Sequence, residues 1–197
     1  MTTYTIPTTV GFSSVEFGLE NNNQVFESPL SNSIQVSELT GARWYATFNL
    51  PPMKKDNALE YIGFLQRLQG RVHSFFGYDA NHRSPSGTIA GSTLLVDGAN
   101  QTGTSLTLDG GANSTLVLKA GDFFSVNNEL KMITANATTD GSGNVTVNFV
   151  PSLRSSPGDD AVITTTNPVC TMKLTGDSTT YSINTSSIYG ISFSGVE

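Results

Sequence analysis

The clearest periodic pattern in the chain lies just before residue 50. Every second residue there is apolar: Trp44, Ala46, Phe48 and Leu50. The residues between them are Tyr45, Thr47 and Asn49. A period of two predicts a strand with one buried face, because successive side chains of a strand point to opposite sides. Residues 15–19 repeat this alternation and predict a second strand.

One stretch has helical spacing instead. Pro51 and Pro52 interrupt strand pairing, and Asp56 follows as the predicted N-cap, whose carboxylate would accept the free N–H groups of the first turn. Apolar residues then recur every three or four positions: Ala58, Leu59, Ile62, Leu65 and Leu68. Gly70 ends the pattern. The sequence therefore predicts a single amphipathic helix at about residues 56–69.

The middle of the chain is rich in Gly, Ser and Thr from about residue 84 onward. Residues 122–126 and 129–135 predict a hairpin around Asn127 and Asn128, because Asn tolerates the positive φ of two-residue turns. Residues 140–144 predict a further turn before an alternating strand. Short strands at regular spacing are typical of a small sandwich or barrel.

The end of the chain returns to larger apolar residues, with Tyr189, Ile191 and Phe193 at alternate positions. We expect this strand to pair with residues 43–50, because each carries one continuous apolar face. Residues 1–88 and 170–197 would then form one β-sheet or barrel domain, and residues 89–169 an inserted small β-sandwich or barrel module. The predicted fold is mostly β with one amphipathic helix.

Composition narrows the function classes. The chain has 197 residues, of which 13% are charged, with a net charge of −6 and a pI near 4.8. Such an acidic chain lacks the basic face of an electrostatic nucleic-acid binder. Cys170 is the only Cys, which excludes an intrachain disulfide and a Cys-based metal site. With no signal-peptide pattern and no apolar run near the ~18 residues that cross a bilayer, we expect a soluble protein made inside the cell, with no membrane partner.

The search for reactive chemistry finds no enzyme motif, and we predict no catalytic residue, no cofactor and no metal. Four residues have acid–base potential: His73, Asp79, His82 and Arg83. They would relay protons only if they converge, and capping and pairing within a loop is the favoured interpretation. Asp140 and Asn144 are interpreted as a turn rather than a cation loop, and Asp159 and Asp160 as a solvated loop tip.

Assembly is the role that the remaining residues favour. Arg67 and Arg71 lie at the end of the predicted helix, with Glu60 upstream, where they would meet either a neighbouring subunit or solvent. Five aromatic residues are candidates to anchor an interface if they are exposed: Tyr4, Phe12, Phe26, Tyr45 and Tyr78. The candidate interface residues are Trp44, Tyr45, Arg67, Arg71 and Tyr78.

Several motifs resemble one known family. These are residues 43–53 (RWYATFNLPPM), 68–72 (LQGRV) and 189–194 (YGISFS), together with residues 118–124, 140–144 and 151–154 of the inserted module. In this order they resemble distal tail proteins of long-tailed bacteriophages. The resemblance spans most of the chain and carries no catalytic residue.

The resemblance implies a virion structural protein, made in the bacterial host cytoplasm and placed at the tail tip. It implies a homo-oligomeric ring, commonly a hexamer, whose partners are the tail tube protein and the tail hub and tip proteins. Six copies would carry about −36 charges, so DNA passing through the ring would not be bound specifically.

Three alternatives remain open. The first is a carbohydrate- or receptor-binding β module on the virion surface, for which Phe123, Phe124 and Phe149 would have to be exposed so that sugar rings stack on them. The second is a tail-tube, connector or capsid-decorating protein. The third is a hydrolase, which would need a pocket that joins His73, His82 and a carboxylate.

Overall fold

The computed structural model describes residues 1–89 and 93–197. The described chain is mostly β with one helix, as the sequence predicts. Its elements in chain order are β1 (Thr3–Thr5), β2 (Ser14–Glu20), β3 (Asn23–Glu27), β4 (Ile34–Glu38), β5 (Arg43–Asn49), α1 (Lys55–Leu68), β6 (Ser74–Gly77), β7 (Leu95–Val96), β8 (Ser105–Asp109), β9 (Leu116–Leu118), β10 (Phe123–Val126), β11 (Glu129–Ile133), β12 (Ala137–Thr138), β13 (Val145–Val150), β14 (Cys170–Leu174), β15 (Tyr181–Ile183) and β16 (Tyr189–Val196).

The larger sheet joins the two ends of the chain. Its strand order is β1-β6-β14-β16-β5-β2, and β15 pairs with β16 as a seventh strand. Strand β16 lies antiparallel to β5, with Phe193 opposite Phe48 and Ser194 opposite Thr47. The predicted pairing of the closing strand with residues 43–50 is confirmed. Strand β1, which the sequence pattern did not predict, pairs in parallel with β6.

Helix α1 covers the inner face of this sheet. Its buried side chains are Ala58, Tyr61, Phe64, Leu65 and Leu68. The prediction that Leu59 belongs to this face is wrong, because Leu59 is half exposed, and Tyr61 and Phe64 complete the buried stripe instead.

The two ends of α1 also differ from the prediction. The N-cap is Lys54, whose side chain makes no capping bond, and Asp56 lies inside the first turn, where its charge favours the positive end of the helix dipole. At the other end the helix stops at Leu68. Gln69 and Gly70 then both adopt positive φ, at 49° and 64°.

The second sheet has the order β10-β11-β13-β8-β7, and β9 and β12 form a separate small pair. The predicted hairpin is confirmed as β10 and β11, with Asn127 and Asn128 at φ of 53° and 62°. A second hydrophobic core gathers residues between Leu94 and Ile163, all of them from this part of the chain.

The sheet positions of β6 and β14 show how this segment is inserted. These strands flank it in sequence and are neighbours in the larger sheet, where Cys170 lies opposite Gly77. The chain therefore leaves the larger sheet and returns to it at adjacent strands. The second core falls within the predicted inserted module of residues 89–169, whose limits stay predictions; residues 90–92 lie outside the described part of the chain.

Polar contacts tie the inserted module to the larger sheet. The Trp44 indole N–H donates to the Leu130 carbonyl at 2.7 Å. Fully buried Lys131 donates to Glu129 at 2.9 Å, and burial lowers the pKa of Lys131 although the Glu129 carboxylate opposes that shift. Arg154 contacts Glu197 of the region after β16 at 3.1 Å. The Lys131–Glu129 pair lies within the inserted module, whereas the Trp44–Leu130 and Arg154–Glu197 contacts join the module to the larger sheet.

Candidate assembly surface

Strands β3 and β4 form a hairpin that stands apart from both larger sheets. They pair with each other over five residues each, from Asn23 opposite Glu38 to Glu27 opposite Ile34, as a two-stranded sheet of their own. Every residue of both strands is exposed. Two-stranded hairpins are at best marginally stable alone in water, so this one is a candidate for completion by a partner.

The register divides the hairpin into two different faces, because directly opposed residues share a face. One face carries Val25 opposite Val36 and then Ile34, and these three side chains are 59, 60 and 62% exposed. We refer to Val25, Ile34 and Val36 as the apolar hairpin face. Glu27 and Glu38 stand at its two ends. The opposite face is mostly polar, with Gln24, Ser37 and Gln35 around one aromatic residue, Phe26.

The turn of the hairpin also exposes one apolar side chain. Leu30, in the turn between β3 and β4, is 97% exposed. Exposed apolar patches on a protein surface often mark interaction sites.

A groove lies on the outer face of the larger sheet, close to the base of the hairpin. It has a volume of about 620 Å³ and is lined by Gly18, Leu19, Glu20, Arg43, Tyr45, Arg71, Leu174, Thr175 and Val196. We call it the arginine groove. Its floor forms because Tyr45 of β5 lies between Gly18 of β2 and Val196 of β16 in register. The groove combines apolar side chains with two guanidinium groups.

Both guanidinium groups are held by carboxylates of their own chain. Arg43 donates to Glu20 at 3.0 Å, and Arg71 donates through two nitrogens to Asp177 at 2.9 and 2.7 Å. The hydrogen bonds from Arg71 lower the pKa of Asp177 to about 2. The Arg43 and Arg71 side chains remain 49 and 60% exposed. A guanidinium has five N–H donors, so each one can also contact a second carboxylate.

The predicted interface residues fall in different environments. Trp44 is only 2% exposed and packs against Phe17 and Phe123, so placing it at an interface is wrong: it belongs to the core. Tyr45 is 40% exposed, and Tyr45 and Arg71 both line the arginine groove.

Arg67 and Tyr78 are engaged with neighbours in their own chain. The Arg67 guanidinium lies 4.4 Å from the ring centre of half-buried Tyr4. The Arg83 guanidinium lies 3.9 Å from the ring centre of Tyr78, and half-buried Phe12 packs against the same ring. Of the five aromatic candidates, Phe26 and Tyr45 are therefore the exposed ones.

The residues with acid–base potential do not form one cluster. His82 pairs with Asp79 at 2.8 Å, while His73 accepts from the Thr2 backbone N–H and packs against Tyr4. Arg83 donates to Asn167 at 2.8 Å.

The acidic loops are likewise engaged within the chain. Hydrogen bonds from the backbone N–H groups of Asn144 and Ser142 lower the pKa of Asp140. Asp159 accepts from the Gly98 N–H at 2.8 Å. Across residues 1–89 and 93–197, no group of three or more His, Cys, Asp or Glu is arranged to hold a metal ion. The helix in that part of the chain lacks the length and apolar character needed to cross a membrane.

The aromatic residues of the inserted module lie inside it. Phe124 and Phe149 contact each other in the second core, and Phe123 packs against Trp44 in the first. All three rings are buried, so they offer no surface on which a sugar ring would stack.

No family model matches the sequence, and a search of the curated proteins finds no match either.

Proposed function

We propose that this protein is a structural component of a phage tail tip, where copies of the chain assemble into a ring around the path of the DNA. The observation that carries the proposal is the apolar hairpin face, which its own chain leaves uncovered. Burying Val25, Ile34 and Val36 would contribute on the order of 1–2 kcal/mol each, before the cost of association. The motif resemblance to distal tail proteins supplies the expected setting, with tail tube and hub proteins as further partners.

The hairpin and the arginine groove are different surfaces of one chain, which favours a ring. A contact between two different surfaces repeats from copy to copy until it closes on itself or continues as a filament. Six copies would be the expected number from the resemblance. The acidic character of the chain, with a net charge of −6, suits a passage through which DNA moves without binding.

The test is to measure the mass of the purified chain by light scattering and to image the particles by electron microscopy. We expect rings with six-fold symmetry. A variant with Val25→Ser, Ile34→Ser and Val36→Ser should lose the rings while keeping the fold, since these side chains make no core contact.

The matched control changes the other side of the same hairpin, with Gln24→Ser and Gln35→Ser. This variant should assemble like the unaltered chain. A chain that stays monomeric at high concentration contradicts the proposal. Labelled chain found along the tube of the virion, rather than at its tip, would favour a tube protein instead.

A further inference from the structure

We propose that the arginine groove of one copy is the seat of the β3–β4 hairpin of the next copy. This inference rests on the proposed function and adds to it the two surfaces that meet. The occupant is a second copy of this chain, and the contact is head-to-tail, hairpin into groove. Three features of the two surfaces support the assignment.

The first feature is the matching order of apolar and charged groups. The apolar hairpin face has Val25, Val36 and Ile34 at its centre and a carboxylate at each end. Since Glu27 and Glu38 stand four residue levels apart, they are separated by about 13 Å along the strands. The groove presents Tyr45 and Val196 at its floor and two guanidinium groups at its margin.

The second feature is charge. Residues 21–42, which contain the hairpin, include Glu27 and Glu38 but no Lys or Arg, so the hairpin carries −2. The groove lining contains Arg43, Arg71 and Glu20, and Asp177 pairs with Arg71, so these four charges cancel. Lys173 adds a further positive charge beside Val196 in the register of β14 and β16. The acidic hairpin and the positive charge that Lys173 adds to the groove are complementary in sign.

The third feature is the local contrast within the outer sheet face. Next to the groove that face is polar, with Thr47 bonded to Ser194 at 3.0 Å and Asn49 bonded to Ser14 at 3.1 Å. The groove is therefore the part of this face where apolar side chains and guanidinium groups lie together. The apolar hairpin face would therefore bury more apolar surface against the groove floor than against the hydroxyl-lined remainder of the sheet.

The experiment uses cross-linking between two differently tagged full-length copies. The native Cys170 is buried, so introduced cysteines react selectively. One copy carries Val36→Cys on the apolar hairpin face, and the other carries Thr175→Cys in the groove. After mixing and treatment with a short bismaleimide, we expect a covalent dimer that contains both tags. Adding Glu27→Lys and Glu38→Lys to the hairpin copy should lower its yield more than about tenfold.

Two matched controls use cysteines outside the proposed contact. Gln35→Cys lies on the opposite hairpin face, and Ser142→Cys lies in an exposed turn of the inserted module. Neither should give the mixed dimer when it replaces its counterpart.

The outcomes separate this inference from the proposed function. If rings form but the mixed cross-link does not, the groove is not where the hairpin binds, and the proposal of a ring is unaffected. Cross-linking of Val36→Cys copies to each other, with none to Thr175→Cys, shows hairpin pairing with hairpin and also overturns the seat. A chain that stays monomeric in all mixtures overturns both.

Discussion

Arg71 and Asp177 connect the end of helix α1 to the loop after β14. Asp177 accepts from two side-chain nitrogens and the backbone N–H of Arg71, which are three hydrogen bonds to a single carboxylate. These contacts hold the Arg71 guanidinium at the edge of the arginine groove. A single exposed ion pair adds little stability, so its main effect is to position Arg71.

The pair also makes stability depend on pH in a defined direction. Because the pKa of Asp177 falls from 3.8 to about 2 on folding, its contribution is present above the ordinary value and is lost as pH falls through about 2. We expect Asp177→Asn to lower the free energy of unfolding at about pH 6 and to have a much smaller effect at about pH 2, where Asp177 is about half protonated in the folded chain. Denaturant titrations at the two pH values measure this difference.

The control for this prediction is Arg71→Gln, alone and combined with Asp177→Asn. If the pair acts as a unit, the double variant should be no less stable than either single variant, because each single variant already lacks the ion pair. An effect of Asp177→Asn that is equal at both pH values would contradict the prediction.

Single residues also show where sequence reasoning succeeds and where it fails. The alternation of residues 44–50 predicted one buried face of β5, and that face contains Trp44. The prediction that Trp44 lies at an interface conflicted with this alternation, which places Trp44 on the buried face. The contact of the Arg67 guanidinium with the Tyr4 ring has no sequence signal, because folding brings together two residues that lie 63 positions apart.

At the scale of elements, helix α1 contains one glycine and is followed by another, and the two have opposite requirements. Gly63 lies in the helix with no atom near the position a Cβ would take. Gly70 has a φ of +64°, and a Cβ there would lie 2.9 Å from the Asp177 Cα. The first glycine is therefore a cost to helix stability, while the second is required by the chain reversal.

These two glycines give a paired prediction. Gly63→Ala should raise the free energy of unfolding by about 1 kcal/mol, because Ala loses less backbone entropy in a helix. Gly70→Ala should lower it by about 1–3 kcal/mol, because of the strained φ and the contact with Asp177. Chemical denaturation of both variants measures the two signs, and a stabilising Gly70→Ala would contradict the described geometry.

The β3–β4 hairpin, like β1, was not predicted from the sequence. Its signal was present: Ile34 and Val36 alternate with Gln35, and residues 28–33 contain Pro29 and three Ser. The pattern resembles that of a half-buried strand pair, but nothing in the sequence tells whether the burying surface belongs to the same chain or to another. Helix α1 was easier to predict, because its apolar stripe and its flanking prolines lie in one continuous stretch.

At the scale of the whole molecule, the two cores meet but draw on different parts of the chain. The first core takes residues from both ends and from α1, with Phe123 and Leu130 from the inserted module. The second lies within the inserted module. The overall β class and the joining of the chain ends were predictable from periodicity. The Arg154–Glu197 pair that joins the two parts was not predictable, because nothing in the sequence distinguishes Arg154 from a surface residue.

Assembly should change the mobility of the hairpin and leave the inserted module unchanged. In hydrogen exchange, residues 23–38 should exchange fast in the isolated chain, because their backbone pairs form a solvent-exposed two-stranded sheet. In the ring they should become protected. The internal control is the buried hairpin of β10 and β11, which should exchange slowly in both states. Equal exchange of residues 23–38 in both states would contradict a role of the hairpin in assembly.

The position of β16 between β5 and β14 has a consequence for synthesis on the ribosome. The Trp44 backbone N–H is bonded to the Glu197 side chain, 153 residues later. The residues of the second core are translated before β14 and β16. This core can therefore form before the larger sheet is complete. Val196, which forms part of the groove floor, is added last of the lining residues. Within each copy the hairpin is therefore made before the groove is complete, so under the proposed contact a nascent copy can offer its hairpin but cannot receive another until β16 is translated.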